Sequence, residues 1–475
     1  MDVPLAFIKS LVIGAISSIL VVGLLSAGVA ECRLLERTSN PLQYSAINCR
    51  KYHASLEEFG GRGDGTTSNT EVFKTAIANL STYGADGGAL LYVPAGRWVT
   101  SSFNLTSHFT LFLDKDAVIL GSTVESEWPL TAILPSYGRG RDAAAGRYAS
   151  LITGSNLTDV VITGNNGTID GQGAWWWDKF HQKELQYTRP YLIELLYSDQ
   201  IQISNLTLVN SSSWHVHPIY CSNVIIQGLT ILAPTNSPNT DGIDPDSCTN
   251  IKIEDCYVVS GDDCIAAKSG WDEYGIKFGM PTQHLIIRRL TCNSPDSAVI
   301  ALGSEMSGGI SDVRAEDITA INSESLLRIK TAIGRGGFIK HIYLKGMTLH
   351  TIYRYVVWMA GTYGQHADEN FDPNALPVVE DINIRDIVAD NVTRAGSLIG
   401  IQNDPFTGIC ISNVNIQLNE KPMKGQWNCS DIEGVSDDVT PQPCKLLPNK
   451  DMPEGCPYPT DKLPIDNVQL KTCSM

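Results

Sequence analysis

A loose phrase recurs along the 475-residue chain: a polar residue, then apolar residues at alternate positions, then a turn. It stands at Asn156 (NLTDVVITG), Asp199 (DQIQISNLTL), Asn223 (NVIIQGLTIL), Asn250 (NIKIEDCYVV), His284 (HLIIRRLTC), Asp312 (DVRAEDITAI), His341 (HIYLKGMTL), Asp381 (DINIRDIVA) and Asn413 (NVNIQL). From Asp199 onward successive starts lie 24, 27, 34, 28, 29, 40 and 32 residues apart. Alternation marks strands with one buried face. Short strands at such irregular intervals predict a parallel β-helix, each coil burying its inward residues on the next. A β-propeller would want about four strands per 40–50 residues at steadier spacing. The expected fold is all-β, a single right-handed parallel β-helix.

Ahead of the repeats, Thr70–Leu80 places Val72, Phe73, Ala76, Ile77 and Leu80 on one face, between the turn-rich GGRGDGTTSN and the strand-like GALLYVPAG. This reads as a short N-terminal helix that closes the open end of the solenoid. The Arg62-Gly63-Asp64 tripeptide within that turn-rich stretch reads as turn chemistry rather than as an adhesion motif.

Residues 1–30 read as an address. Leu11 to Ala30 carries no charge, is preceded by Lys9 and followed by Glu31, Cys32 and Arg33. Its length suits a membrane anchor, and small Gly28 and Ala30 suit a signal peptide cleaved before Glu31. Either way residues 31–475 are expected in the secretory lumen, the extracellular space or the cell wall, with membrane contact only through an anchor. Twelve cysteines without a CxxC pair favour disulfides over zinc. Sequons at Asn79, Asn104, Asn156, Asn166, Asn205, Asn210, Asn391 and Asn428 fit the same compartment. The Pro-rich, cysteine-bearing segment 429–475 reads as a stapled C-terminal cap of the same domain.

Formal charge is −16, from 35 basic and 51 acidic residues, which argues against nucleic acid as a partner. A polyanionic substrate would need a local basic cluster. Two acidic clusters stand out, Asn239-Thr240-Asp241 and Gly261-Asp262-Asp263-Cys264. Asp241 and Asp262 are 21 residues apart, about one short coil, so a β-helix can stack them on rungs ~4.8 Å apart. Further coils lead to the Gly303–Gly309 stretch and to Arg328-Ile-Lys330, whose two cations share a strand face. Crowded carboxylates raise the pKa of one of them and so set a proton donor beside an anionic base. With a basic pair for a substrate carboxylate, the set suits glycosidic cleavage of an acidic sugar. No phosphate loop or metal-ligand spacing is present, and neither cofactor nor metal is expected.

NTD, GDD and RIK, in this order within a β-helical repeat, resemble the polygalacturonases of glycoside hydrolase family 28. FGGRGDGTTSNTEVFKTAI and WHVHPIYCSNV extend the likeness over nearly the whole chain after the leader, and GSEMSGG is similar to a plant polygalacturonase-like group. The resemblance implies a monomeric hydrolase of α-1,4-galacturonosidic bonds in pectic polygalacturonate, acting with inversion. It casts Asp262 as general acid, Asp241 and Asp263 as the groups that position and deprotonate water, and Arg328 and Lys330 as the carboxylate-binding pair. It also implies a Cys264–Cys292 disulfide and two bridges among Cys429, Cys444, Cys456 and Cys473. Many members carry Gly-His-Gly shortly before Gly303-Ser304, whereas this chain has Ala298 where that histidine is expected. His215 and His217 are candidates to replace it, though buried strand histidines are usually structural.

Trp175, Trp176 and Trp177 suit either stacking on sugars or packing under a loop. The intervals from Asn250 to His284 and from His341 to Asp381 hold GWDEYGIKFGMPTQ and GTYGQHADENFDP, long enough to rise over a groove and leave a pocket. An exo mode is therefore expected, and GSEMSGG also resembles exo-acting relatives. A pectate lyase, a rhamnogalacturonan-directed enzyme and a non-catalytic pectin-binding β-helix are the alternatives.

Overall fold

The computed structural model describes residues 43–45, 49–420 and 423–471. The leader, Cys32 and Cys473 lie outside the described residues. Parallel strands stack in register along the chain, and the connections wind right-handed into a β-helix. Ile162, Ile203, Ile226, Ile253 and Ile287 pair rung on rung, and the row continues to Ile411. All of these side chains are buried. Early coils use separate short strands such as Thr249–Glu254, Tyr257–Val259 and Ile265–Ala267, whereas later coils run as bent strands, Ile310–Lys330, Phe338–Ala360 and Val378–Ile399.

The polar residue opening each repeat has a backbone cause. Eight of the nine, Asp199 excepted, hold φ between 49° and 57°. Asn, Asp and His tolerate this left-handed region better than branched residues do, so they mark where the chain turns into each strand. Their side chains also bond between coils: Asn223 Nδ2 donates to Asp199 Oδ1 at 2.7 Å, and Asn250 Nδ2 donates to Asn223 Oδ1 at 3.0 Å.

Helix α1 (Thr70–Ser81) buries Phe73, Ala76, Ile77 and Leu80, with Val72 half-buried, and Phe73 stacks on Phe103 at 4.4 Å. It covers the first coil as expected. Asp64 of the Arg-Gly-Asp tripeptide accepts from the amides of Thr66 and Thr67, which is turn chemistry. The sequon asparagines are exposed except Asn210, which is half-buried and donates to Asp170.

The disulfides require one correction. Cys264–Cys292 is bridged as the resemblance implies, and so is Cys429–Cys444. Cys456, however, pairs with Cys410 rather than with a partner inside the tail. The tail caps the last coil only with its first part, where Leu447 is buried, and then doubles back along the outside of the solenoid. The cause is apolar: Leu463 and Ile465 cover Ile225 and Ile286, which point outward from middle coils. Arg288–Asp466 and Arg314–Asp461 ion pairs flank that contact, and Gln469–Lys471 finally pairs with Gln43–Ser45. Cys221, Cys248 and Cys256 are buried free thiols, so part of the cysteine set packs the interior instead of bridging it.

Candidate active site

The short strands Ile265–Ala267 and Ala298–Leu302 and the end of Ile310–Lys330 lie side by side on one face of the solenoid. Asp241 to Asp263 precede this sheet, and Lys268, Glu305 and Lys330 close its other edge. Gly242 N donates to Asp263 O at 2.9 Å, so the two acidic strings occupy neighbouring rungs, as their spacing predicts. One carboxylate oxygen from each of Asp241, Asp262 and Asp263 lies within 4.8 Å of the others. Asp241 and Asp263 are buried, while Asp262 is half-buried and opens on a cavity of about 340 Å³.

Different neighbours give the three carboxyls different protonation. Burial, then the charges of Asp262 and Asp244, drives Asp241 well above the usual carboxylate range. Its Oδ1 has no hydrogen-bond partner within the protein. Burial works against ionising Asp263, but Lys330, Arg328 and Lys268 outweigh it and hold that carboxyl low. Lys330 Nζ donates to Asp263 Oδ2 at 2.5 Å, Ser297 Oγ to Oδ1 at 2.5 Å and the Ala298 amide to Oδ1 at 3.0 Å. The site therefore sets a carboxyl that favours its anion, Asp263, beside one whose surroundings favour the proton, Asp241.

Arg328 and Lys330 share one face of their strand and reach the same cavity. Lys330 is 6% exposed and directed onto Asp263, so it is tied to the acid cluster more closely than sequence suggests. Arg328 is the freer of the two, lying 4.0 Å over the Trp358 ring with one ion pair to Glu324 at 3.0 Å. Ala298 is buried, and its amide and the adjacent Ser297 hydroxyl serve Asp263 directly. His215 and His217 do not line the cavity. His215 bonds the Asp241 carbonyl at 2.9 Å, and burial pushes its pKa down to about 4. His217 lies between Glu194 (3.0 Å) and Asp246 (3.4 Å), which overcome burial and raise it to about 9. The Trp run lies in α2 (Ala174–His181), where Trp176 is buried against Trp128 and Tyr148 and Trp177 donates to the Ser211 carbonyl. Packing under a loop, not the cavity, accounts for these indoles; Phe180 of the same helix does reach it.

Of the two long intervals only the second lines the cavity with its loop; the GWDEYGIKFGMPTQ stretch of the first stands behind that loop and does not line the cavity, contrary to expectation. The first carries α3 (Asp272–Phe278), whose Asp272 is fully buried and bonds Arg335 at 2.6 Å and the Ala367 amide at 2.8 Å. The second carries Tyr363 and Gln365 to the cavity edge, and Trp271 Nε1 donates to the Gln365 carbonyl at 3.1 Å. A second segment, residues 132–146, lines the cavity without having been expected to. It brings Arg141 and Asp142 into the cavity and is pinned by Arg139 to the Ala367 carbonyl (2.6 Å) and by Arg189 to Asp142 (2.9 Å).

Among the described residues, the Asp241–Asp262–Asp263 group is the one set of carboxylates close enough to hold a metal. Ca²⁺ takes 6–8 oxygens, whereas here an ammonium already sits on Asp263 and Lys268 Nζ is 4.0 Å from Asp241. The donor set suits acid–base chemistry on an anionic sugar better than cation binding.

A β-helix bearing these carboxylates and cations in a lateral cavity defines a glycoside hydrolase. Residues 103–440 match the family described as glycosyl hydrolases family 28, and the chain belongs to that family. It is 65% identical over 457 residues to a probable polygalacturonase of Vitis vinifera, covering 96% of this chain and 92% of the relative. It is 25% identical over 394 residues to an exopolygalacturonase of Zea mays, covering 80% and 87%. The crystal structure of a hyperthermoactive exopolygalacturonase from Thermotoga maritima superposes with a TM-score of 0.72 at 26% identity, covering 86% of this chain and 94% of that one.

Proposed function

We propose that the enzyme hydrolyses α-1,4-galacturonosidic bonds of pectic polygalacturonate from a chain end, with inversion. The observation that carries this is the carboxylate trio facing cationic side chains in a cavity that the 132–146 segment (Arg141, Asp142) and the second long interval (Tyr363, Gln365) also line. The polygalacturonase and exopolygalacturonase relatives support it. Asp262, the accessible member, gives its proton to the glycosidic oxygen as the C–O bond breaks. Asp263, kept ionised by Lys330, takes a proton from the water whose oxygen attacks the anomeric carbon. Asp241, protonated and adjacent, orients that water; its proton then passes to Asp262 while Asp263 hands the proton taken from water to Asp241, so the three carboxyls return to their starting states and the proton taken from water balances the one given to the leaving sugar. Arg328 receives a substrate carboxylate.

Inverting pairs usually stand ~6.5–9.5 Å apart, wider than the nearest oxygens here, so stereochemistry is a direct test. The sugar released first is expected as the β-anomer by proton NMR; an α-anomer would replace inversion with a covalent intermediate. On long polygalacturonate, monomer or dimer is expected from the start while viscosity stays high. Rapid viscosity loss with mixed oligomers would establish internal cutting. Arg328→Ala is expected to weaken trigalacturonate binding ~10-fold or more, the scale of a lost hydrogen bond to a charged group. Unchanged calorimetric affinity would assign Arg328 a structural role. The uncharged run Leu11–Ala30, the exposed sequons and the disulfides support a secreted or membrane-anchored enzyme working in the cell wall, and a monomer suffices because the cavity is built from one chain.

A further inference from the structure

A second cavity, of about 420 Å³, lies between the returning tail and a different sheet of the solenoid from the one that carries the carboxylate trio. Its floor includes the opening segments of the bent strands Ile310–Lys330, Phe338–Ala360 and Val378–Ile399. Backbone bends at Asp317 and Asn322, with φ of 54° and 49°, separate this floor from the face that carries Arg328. Across it Glu254, Arg288, Glu316, Lys345 and Arg385 pair rung on rung in one row. Opposite charges alternate as far as Lys345, the arrangement that stabilises facing residues. Arg385 then repeats the positive sign, and uncharged Ser412 follows it. The row thus ends on two adjoining cations, and the one acid beside them, Glu316, is shared with Arg288 at 3.7 Å.

The other acids of the cavity are already engaged. Asp466 pairs with Arg288 at 2.9 Å and Asp461 with Arg314 at 3.3 Å, the contacts that pin the tail. Lys345 makes no ion pair among the described residues. It is exposed, and its Nζ lies 5.3 Å from the centre of the Tyr458 ring, which fixes the position of the charge without cancelling it. Lys462, brought by the tail, is exposed and makes no ion pair among the described residues either. Arg385 gives Nε to Asp386 at 2.9 Å and Nη1 to the Glu454 and Cys456 carbonyls, which leaves Nη2 without a partner. Charges on neighbouring rungs stand ~4.8 Å apart and so form a row rather than a point. They do so on a chain whose formal charge is −16.

From this geometry we propose a polyuronate-binding site on the outer flank of the solenoid, in which Lys345, Arg385 and Lys462 receive carboxylates of successive sugars. A row of cations suits an anion whose charges recur along its length, and one carboxylate per sugar supplies them. The choice of a polyuronate among such anions rests on the hydrolase reading above. The stretch of polymer bound here is remote from the bond being cut, so the site holds the enzyme on its substrate while the catalytic cavity takes chain ends.

The double change Lys345→Gln, Lys462→Gln removes two exposed charges outside the catalytic cavity. Retention on insoluble polygalacturonate is to be measured in an Asp262→Asn background, which spares the polymer. In the otherwise native enzyme, the same changes are to be assayed on trigalacturonate and on long polygalacturonate. The double variant is expected to bind the polymer about fivefold more weakly, the scale of two lost exposed charge contacts, and the difference should shrink at high salt. KM on long polygalacturonate should rise by a similar factor, while kcat/KM on trigalacturonate, whose turnover needs only the catalytic cavity, should stay within about twofold. Arginine at both positions keeps the charges and should keep retention. Unchanged retention, an equal loss of retention on fully methyl-esterified pectin, or an equal loss of activity on both substrates would overturn the site. An equal loss on phosphocellulose would make it a general anion site and overturn the uronate assignment. If the parent cleaves neither substrate, the hydrolase reading fails, and retention alone decides this site: it stands if the double variant loses polygalacturonate selectively and falls if it does not.

Discussion

Asp262→Asn is expected to lower turnover on polygalacturonate by at least ~100-fold, because a positioned general acid contributes roughly 10²–10⁴. Folding should be little changed, since Asp262 is half-buried and its carboxylate accepts from the Asp263 amide at 2.9 Å and Asn239 Nδ2 at 3.3 Å. A leaving group that needs no proton separates the acid from its neighbours. On a nitrophenyl galacturonide, Asp262→Asn should recover much of the lost rate. Asp263→Asn, which removes the base, should not. Asp241→Asn is expected to be nearly as damaging on the natural substrate, and the double variants should be no worse than the worst single one, because the three carboxyls act as a unit. Near-normal turnover of Asp262→Asn, or selective rescue of Asp241→Asn by the activated substrate, would move the acid role to Asp241.

The second large effect is expected away from the cavity. Glu194 is buried and holds Arg147 at 2.6 Å and His217 at 3.0 Å; Tyr137 donates to Asp246 at 2.5 Å on the far side of His217. Glu194→Gln leaves a buried arginine and a buried imidazolium short of their counter-charge, a loss of about 3–5 kcal/mol for a broken buried pair. The pH dependence follows from the shifts. Burial opposes ionising Glu194, but Arg147 and His217 lower it from 4.5 to about 2, so its contribution is full above 4.5 and is lost as pH falls through 2. His217 is raised from 6.5 to about 9, so its contribution is full below 6.5 and is lost as pH rises through 9. Denaturant unfolding of parent and variant should therefore differ most between about pH 4.5 and 6.5, converge as pH falls towards 2, and narrow only in part as pH rises through 9, where the Arg147–Glu194 pair persists. A difference that stays constant with pH would show that the network is not ionised as drawn.

The solenoid was legible because its signal is local: a left-handed turn residue followed by alternating apolar positions repeats at Asn223, Asn250, His284 and beyond. The trio and Arg328-Ile-Lys330 were legible for the same reason, each being a compact string. What escaped notice depends on distant contacts. Arg141 enters from a segment whose place is fixed by Arg139, Tyr137 and Arg189 bonding to remote coils. Lys268 had a faint signal, a single charge directly after the apolar Ile265-Ala266-Ala267, but its acids lie on other rungs. The course of the tail could not be read from cysteine spacing, because Leu463 and Ile465 are drawn to apolar residues some two hundred positions earlier. For the Trp run, composition alone could not distinguish an aromatic platform from a packed helix.

The returning tail alters how such a molecule comes apart. A stack of coils touching only their neighbours can peel from either extremity, one rung at a time. Here the last coils, the middle of the stack and the segment near its start are laced together by Cys410–Cys456, by Leu463 and Ile465, and by the pairing of Gln469–Lys471 with Gln43–Ser45. Fraying at one extremity must also release contacts far along the axis, so proteases meet no loose final rung and mechanical force finds no single coil to unwind first.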